Sequence, residues 1–600
     1  MCGFFGIIFD KEMKGMGDIL IQAGVRLSYR GYDSTGVCVL KKNNTYSLKK
    51  DAGSVEEVSQ KYNFHGMSGY KGITQLRWAT YGKPNKINAQ PHTDCKNKII
   101  SAHNGNIINT HTLFERLKRE EHTIKSENDG EVIPHLIEKY SSGRDYHGSI
   151  LKSIAEIKGD YAFVMTPVEE EKMYAFKKGS SMFAGEGIGF ICISSDYTAV
   201  RDLTSKIIKI NDDELFEFTY DGYQIYSTKT NKRISRKPFL DKEKPYEASK
   251  DGFDSFMEKE IHEVPFRINE LHKEYKYSKK LKEFAKTVKK DGFVITGSGT
   301  SYNASLLGAY FLNRISKIDA QIYYPSDIID RFQHLHSVKK NLLAVSQSGE
   351  TKDIKNAIDI YRKFGKGKVF AVLNNVNSSI GHLSDYSLPT FSGTEMAVPA
   401  TKTFINQAVL FYLMSLNFAG KSDVHIDERI KALIKVINSI LKGNMEKLDI
   451  VAERLHKLKY FHILGHSMTY PVAMEGALKM KEVNYINVEP MHSSEFKHGP
   501  LTLVTKNYPV IFVTSIESKH YTLSHINEIK TRGGFIITIS QNDYDLKENS
   551  EIFIPINTDD ENIFAIASAF MLQILSMKIS YLKNINPDKP RNISKTITVD

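Results

Sequence analysis

The chain has 600 residues, of which 41% are hydrophobic and 25% charged, with a formal net charge of +11. That length exceeds what one hydrophobic core serves, so several globular domains are expected. Cys2, Cys38, Cys95 and Cys192 form no CxxC pair, which excludes a disulfide framework or a zinc knuckle as the organising device. The basic residues are scattered through Lys-rich stretches, such as the helix expected over Tyr275–Lys290, so they read as solvated faces and not as a nucleic-acid tract. No run reaches the ~18 to 20 apolar residues of a membrane span. Val409–Leu416 and Ile563–Met577 read as buried helices. The opening Met-Cys-Gly-Phe-Phe-Gly has neither a basic leader nor a cleavage site, so a cytosolic location is expected.

From the N-terminus, roughly the first 240 residues read as many short strands with few helices, about the size of one domain. Ile99–Ala102, Tyr161–Met165 and Phe190–Ser194 are apolar or β-branched runs bounded by turn residues. Cys2 becomes the terminal residue once Met1 is removed, and a free α-amine, with a pKa near ~7.7 to 8, can act as general base for the thiol. Cys2-Gly3-Phe4-Phe5-Gly6, Tyr29-Arg30-Gly31-Tyr32-Asp33-Ser34, Arg77-Trp78-Ala79-Thr80, His103-Asn104-Gly105 and Asp129 follow in order. Together they resemble the class II glutamine amidotransferase domain. The resemblance implies an N-terminal-nucleophile αββα fold in which Cys2 hydrolyses glutamine. Arg77 suits the α-carboxylate and Asp129 the α-ammonium, while the Asn104 side chain and the Gly105 N–H suit an oxyanion. Trp78 and Thr80 complete the implied glutamine site, and Trp78 is implied to gate ammonia.

Lys237–Asp251, with two prolines and alternating charges, reads as a linker. Beyond it the rhythm becomes strand, polar loop, long helix, repeated, which argues for α/β layers on a parallel sheet. Strand Phe293–Thr296 enters Gly297-Ser298-Gly299-Thr300-Ser301, and strand Phe461–Leu464 enters Gly465-His466-Ser467. The two lead glycines stand 168 positions apart. Leu342–Val345 against Val510–Val513, and Val369–Ala371 against Ile537–Ile539, keep the same spacing, so two copies of one domain are expected. The hydroxyl-rich loops Ser298–Ser301 and Ser346-Gln347-Ser348-Gly349-Glu350-Thr351 offer a phosphate cradle, and neither matches a nucleotide-binding fingerprint.

GSGTSYNAS and SQSGETKD resemble the sugar isomerase domain. Glu475–Glu482, Glu495–Pro500 and the ending Pro590–Asp600 resemble the glutamine–fructose-6-phosphate aminotransferase family, and the likeness runs from Cys2 to Asp600. It implies a glutaminase domain over 2–240, a linker over 241–252, and two tandem doubly wound α/β domains over 253–425 and 426–585. A C-terminal active-site tail follows over 586–600. Thr300, Ser301, Ser346, Gln347, Ser348, Thr351 and Val398 are implied to hold the sugar phosphate. Lys595 is implied to form a Schiff base with the ketose, His498 to assist ring opening, and Glu482 to move a proton between C1 and C2 with help from Lys479. The implied substrates are L-glutamine and fructose 6-phosphate, with ammonia passing internally between them. No cofactor, metal, nucleic acid or membrane is implied, and a homodimer is. The alternatives are the same chemistry on another ketose phosphate and a non-catalytic sugar-phosphate sensor. Tyr81, Gln90, Ser298 and Pro399 depart from the family pattern. By composition alone, Asp588–Asp600 should fray and Lys595 should be solvated.

Overall fold

The computed structural model describes residues 2–141, 145–241, 249–276, 280–288, 292–335, 337–443 and 445–595. They divide into two compact units, 2–241 and 249–595.

The first unit stacks two antiparallel sheets. One runs edge to edge through Phe239–Leu240, Lys206–Lys209, Phe183–Gly187, Phe190–Ser194, Gly3–Met13, Gly69–Arg77, Ser34–Leu40 and Tyr46–Ala52. The other runs through Arg233–Ile234, Tyr223–Ser227, Glu214–Phe218, Met173–Lys178, Gly159–Pro167, Ile99–Ile107 and His92–Thr93. Side chains alternate faces along a strand, so each sheet fills two cores. Phe4 and Ile8 meet Ala102, Val164 and Phe216 between the sheets. Phe5 and Ile7 face the helix Met16–Leu27 on one outer side, while Phe163 and Met165 face the helices Thr110–Arg119 and Val132–Tyr140 on the other. This is the expected αββα layering, with more helix than the strand-rich reading allowed. Two full helical layers are needed because both outer sheet faces are apolar.

The second unit holds two five-stranded parallel sheets of identical order. In the first, Ala320–Tyr323 pairs with Phe293–Gly297, followed by Asn341–Ser346, Val369–Leu373 and Tyr386–Pro389. In the second, Asn487–His492 pairs with Tyr460–Gly465, followed by Pro509–Val513, Phe535–Ser540 and Ile552–Pro555. The repeat read from strand spacing extends into the helices. Gly308 and Gly476 also stand 168 positions apart, and a Cβ at either would collide with a crossing helix. Gly308 faces the Phe411 ring and Gly476 the Leu572 side chain. The helices supplying those contacts, Lys402–Phe418 and Glu561–Leu582, are the two apolar runs seen in the sequence. Glu561–Leu582 is long and apolar enough to cross a membrane, but 94% of its most apolar window is buried inside the protein.

Three expectations need correction or limits. The linker reading over Lys237–Asp251 contains a strand, Phe239–Leu240, that pairs with Lys206–Lys209, and residues 242–248 lie outside the described ones. The single helix expected over Tyr275–Lys290 is instead the end of Phe256–Lys276 followed by Lys280–Val288, with 277–279 and 289–291 outside the described residues. The fraying expected from composition at Asp588–Asp600 does not occur up to Lys595. The Asp588 carboxylate accepts the N–H groups of Phe256 (2.9 Å) and Met257 (2.8 Å), and its carbonyl accepts Val398 N–H at 2.9 Å. The Arg591 N–H donates to the Tyr485 hydroxyl at 2.8 Å, and its guanidinium lies 4.2 Å from that ring centre. Polar anchors do here what an apolar stripe does elsewhere, so the hydropathy pattern carried no sign of them. Residues 596–600 lie outside the described ones.

Candidate active sites

In the first unit, Cys2 leads into strand Gly3–Met13 near the middle of its sheet. Gly3 pairs with Leu76, so register brings Cys2 and Arg77 to the same end of adjacent strands. The thiol donates to the Trp78 carbonyl at 3.6 Å. Burial pushes the Cys2 thiol up from its ordinary value, so attack requires a base close by.

Arg77 is fully buried. Its Nη2 donates to the Tyr81 carbonyl and, at 3.2 Å, to that of Gly82. Nε and Nη1 have no partner among the described residues. Buried charged donors in this state suit a carboxylate ligand. The Asp129 carboxylate accepts Ile107 N–H at 3.0 Å and lies 3.4 Å from His103 Nε2. Asn104 and Gly105 lie on strand Ile99–Ile107, with Asn104 Oδ1 buried and unpartnered among the described residues. Gly105 has φ +120°, and a Cβ there would stand 2.2 Å from the Asp160 carbonyl oxygen, so only glycine fits. Thr80 is exposed, and Trp78 is half-buried with its ring edge-on to Tyr32 at 6.3 Å.

Two supports were missed in the sequence as site residues. Asp33 accepts Ala79 N–H at 2.8 Å, fixing the loop after Arg77. Gln90, a departure from the family pattern, accepts His103 N–H through Oε1 at 2.7 Å and donates to the His103 carbonyl at 3.2 Å. An amide satisfies both backbone groups beside Asn104, which an imidazole cannot do with two ring nitrogens of one protonation state.

In the second unit, the loops after Phe293–Gly297 and Asn341–Ser346 emerge side by side because those strands are adjacent and parallel. Ser301 Oγ accepts Gln407 Nε2–H at 3.1 Å. Ser346 Oγ accepts Gly349 N–H at 3.0 Å and lies 3.1 Å from Thr351 Oγ1, while Ser348 Oγ accepts Glu350 N–H at 3.1 Å. Gln347 and Ser348 are half-buried at the rim of the loop.

Helix Tyr470–Asn484 presents Glu475, Lys479 and Glu482 on one face, at i, i+4 and i+7. Lys479 is fully buried, paired with Glu482 and 3.6 Å from Glu475. Glu475 accepts Thr300 Oγ1–H at 3.2 Å and Asn303 Nδ2–H at 2.9 Å, and so ties the second repeat to the first loop. Burial, against the pull of Lys479, pushes Glu475 up to about 7. Glu475 was quoted in the sequence motif but not as a site residue; its helical spacing to Lys479 and Glu482 was the available signal.

The tail delivers Lys595 into this unit, contrary to the solvated reading from composition. Its ammonium donates to Glu395 at 2.7 Å and to the Ala397 carbonyl at 2.6 Å, with the side chain 5% exposed. Val398 follows directly, buried, with its N–H on Asp588. His498 is the outlier. It sits exposed on a short turn, and no hydrogen bond among the described residues joins its side chain to Lys479, Glu482 or Lys595.

Glu395 and Glu260 form a buried pair that shares one charge. Glu395 carries it, held below the usual carboxylate range despite burial by Lys595, by the Thr401 and Thr403 N–H groups and by the Thr403 hydroxyl. Glu260 accepts the N–H groups of Met396 and Ala397 through Oε1, whereas Oε2 has no partner among the described residues. Burial first, and the Glu395 charge second, push Glu260 up to about 8. A carboxyl raised in the folded state adds stability that is complete below its unfolded pKa of about 4.3 and lost as pH rises through the folded value. Glu260→Gln keeps the acceptor but cannot ionise. Its melting temperature should therefore fall less than that of the parent between about pH 5.5 and about pH 8.5. Parallel declines would show that Glu260 is not held neutral.

The chain matches a glutamine amidotransferase domain model over residues 77–200 and a SIS domain model twice, over 288–416 and 455–583. It is 34% identical over 608 residues to the glutamine–fructose-6-phosphate aminotransferase (isomerizing) of Pyrococcus horikoshii, with 100% of both chains covered. The same holds against the Aquifex aeolicus protein of that name, at 34% over 613 residues. The solved C-terminal domain of glucosamine-fructose-6-phosphate aminotransferase from Francisella tularensis aligns over 57% of this chain and 100% of its own, at 30% identity and a TM-score of 0.52. With two full-length relatives above 30% identity, the chain belongs to the glutamine–fructose-6-phosphate aminotransferase (isomerizing) family.

Proposed function

We propose that this protein converts fructose 6-phosphate and L-glutamine into glucosamine 6-phosphate and L-glutamate. The observation that carries the proposal is the burial of Lys595 against Glu395 and Ala397, in the unit that also buries Lys479 and Glu482.

In the first unit, the Cys2 thiol gives its proton to a neighbouring base and its sulfur attacks the glutamine side-chain carbonyl. The base is the Cys2 α-amine once Met1 is gone. Arg77 holds the α-carboxylate and Asp129 the α-ammonium. The Asn104 amide and Gly105 N–H receive the oxyanion, each donor worth roughly 3 to 4 kcal/mol in comparable sites. Ammonia leaves with the proton returned by the amine, and water then cleaves the thioester to glutamate.

In the second unit, Ser301, Ser346, Gln347, Ser348 and Thr351, with Thr300 beside them, hold the phosphate, and Val398 lines the sugar. Lys595 loses a proton and forms an imine with the C2 carbonyl, releasing water. Ammonia displaces the lysine. Glu482 then removes a proton from C1 and returns one to C2, so the ketose imine becomes the 2-amino aldose. Lys479 holds Glu482 ionised for the first step through their ion pair. His498 serves ring opening. The test is to incubate the full chain with glutamine and each of several ketose phosphates, then identify products by mass. The expected product is hexosamine phosphate from fructose 6-phosphate; amino sugar from another ketose phosphate alone would overturn the acceptor.

A further inference from the structure

One cluster in the first unit plays no part in the reaction above. Cys95, His122, His135 and Glu138 are separated by 27, 13 and 3 positions in the sequence, yet one ligand atom from each lies within 4.8 Å of all the others. Cys95 Sγ stands 3.5 Å from His122 Nδ1 and 3.3 Å from His135 Nδ1. Glu138 Oε2 stands 3.1 Å from His122 Nδ1 and 3.6 Å from His135 Nδ1. A tetrahedral zinc ion with bonds of about 2.3 Å to sulfur and about 2.0 to 2.1 Å to nitrogen or oxygen sets its ligands about 3.3 to 3.6 Å apart. We propose that these four side chains form a closed, structural zinc site.

The surroundings fit that use in two independent ways. Thr123 N–H donates to the Cys95 sulfur at 3.3 Å, the contact that a metal-bound thiolate accepts. On the far side of the His135 ring, Nε2 lies 3.5 Å from Glu131 Oε1. A carboxylate behind a ligating imidazole fixes its tautomer and aims the opposite nitrogen at the metal. Glu131 is itself fixed by Lys125 N–H at 2.8 Å and Ser126 N–H at 2.6 Å. One thiolate, two imidazoles and one carboxylate select zinc over magnesium or calcium, which take oxygen ligands. Four protein ligands leave no open position, so the ion serves structure and not hydrolysis.

The site joins three segments that otherwise meet only through packing. Cys95 lies between strands His92–Thr93 and Ile99–Ile107, and His122 follows helix Thr110–Arg119. His135 and Glu138 share helix Val132–Tyr140, which begins three residues after Asp129. The ion would therefore clamp the helix that positions Asp129 against strand Ile99–Ile107, which carries Asn104 and Gly105.

The experiment uses the full chain, stripped with a chelator and titrated with zinc(II) or cobalt(II). About one ion per chain is expected, and cobalt should give thiolate-to-metal charge transfer with the intense d–d bands of tetrahedral coordination. Cys95→Ser should abolish the charge-transfer band. His122→Gln, at the most exposed ligand and least apt to disturb folding, should weaken zinc binding by at least ~100-fold. Cys2→Ala should leave the cobalt spectrum intact. The proposal is overturned by an absence of stoichiometric metal on the parent chain, by parent-like zinc affinity in His122→Gln, or by a spectrum that disappears with Cys2.

Discussion

Cys2→Ala is expected to lower glutamine hydrolysis by at least ~10⁴-fold, the scale at which a lone nucleophile is lost from a site otherwise intact. Alanine is as small as cysteine at the second position, so removal of Met1 and the α-amine should both survive. The variant therefore isolates the thiol. The strand Gly3–Met13 is held by its two neighbours through backbone pairing and by Phe4 and Phe5 in separate cores, none of which involves sulfur. Stability should change little. Synthesis from added ammonium salt should remain measurable, because the sugar chemistry is assigned to other residues. The check is glutamate release beside amino-sugar formation from ammonium. Glutaminase turnover within tenfold of the parent would remove Cys2 from the mechanism.

Lys595→Arg is expected to lower amino-sugar synthesis by at least ~10³-fold while Cys2-dependent glutaminase activity persists. Arginine can still donate to Glu395 and Ala397, so the tail keeps its charge and most of its anchoring. It cannot form an imine at neutral pH. The comparison thus separates covalent chemistry from electrostatics. Two further measurements sharpen it. Borohydride with fructose 6-phosphate should trap an adduct on Lys595 in the parent and none in the variant. Asp588→Ala, which removes the acceptor for Phe256 and Met257 N–H, should reproduce part of the loss by loosening the tail. Near-parental synthesis by Lys595→Arg would refute the Schiff base.

Periodicity made the layers legible. Strand Phe190–Ser194 was read with its observed ends, and the 168-residue spacing gave the duplicated sheets before any contact was known. Side chains whose work is local and polar were not legible. Gln90, Glu260 and Glu395 act by receiving particular backbone N–H groups, and a contact of that kind leaves no hydropathy signal. The tail is the clearest instance, since it has neither an amphipathic stripe nor an apolar run and is held by one carboxylate, one carbonyl and one ring. Lys595 was reached through motif resemblance alone. The Cys95 cluster escaped because zinc-type spacing was sought within short sequence windows, whereas the fold assembles it from three. His135 and Glu138, three apart on one helix, were its one local trace.

The seam at Glu475 has an evolutionary consequence. Two copies of one domain could in principle have generated two equivalent catalytic faces. Stepping back 168 positions from Glu475, Lys479 and Glu482 gives Leu307, Phe311 and Arg314. Leu307 and Phe311 are fully buried in the shared apolar core, and Arg314 is paired outward with Glu517. The mirror position is a hydrocarbon wall with no group able to carry a proton. Duplication here produced a division of labour, in which one descendant supplies hydroxyls and the other supplies ionisable groups. Neither half, expressed as a separate gene product, would inherit a working site, and a chimera that doubled either half would lose what the other contributes.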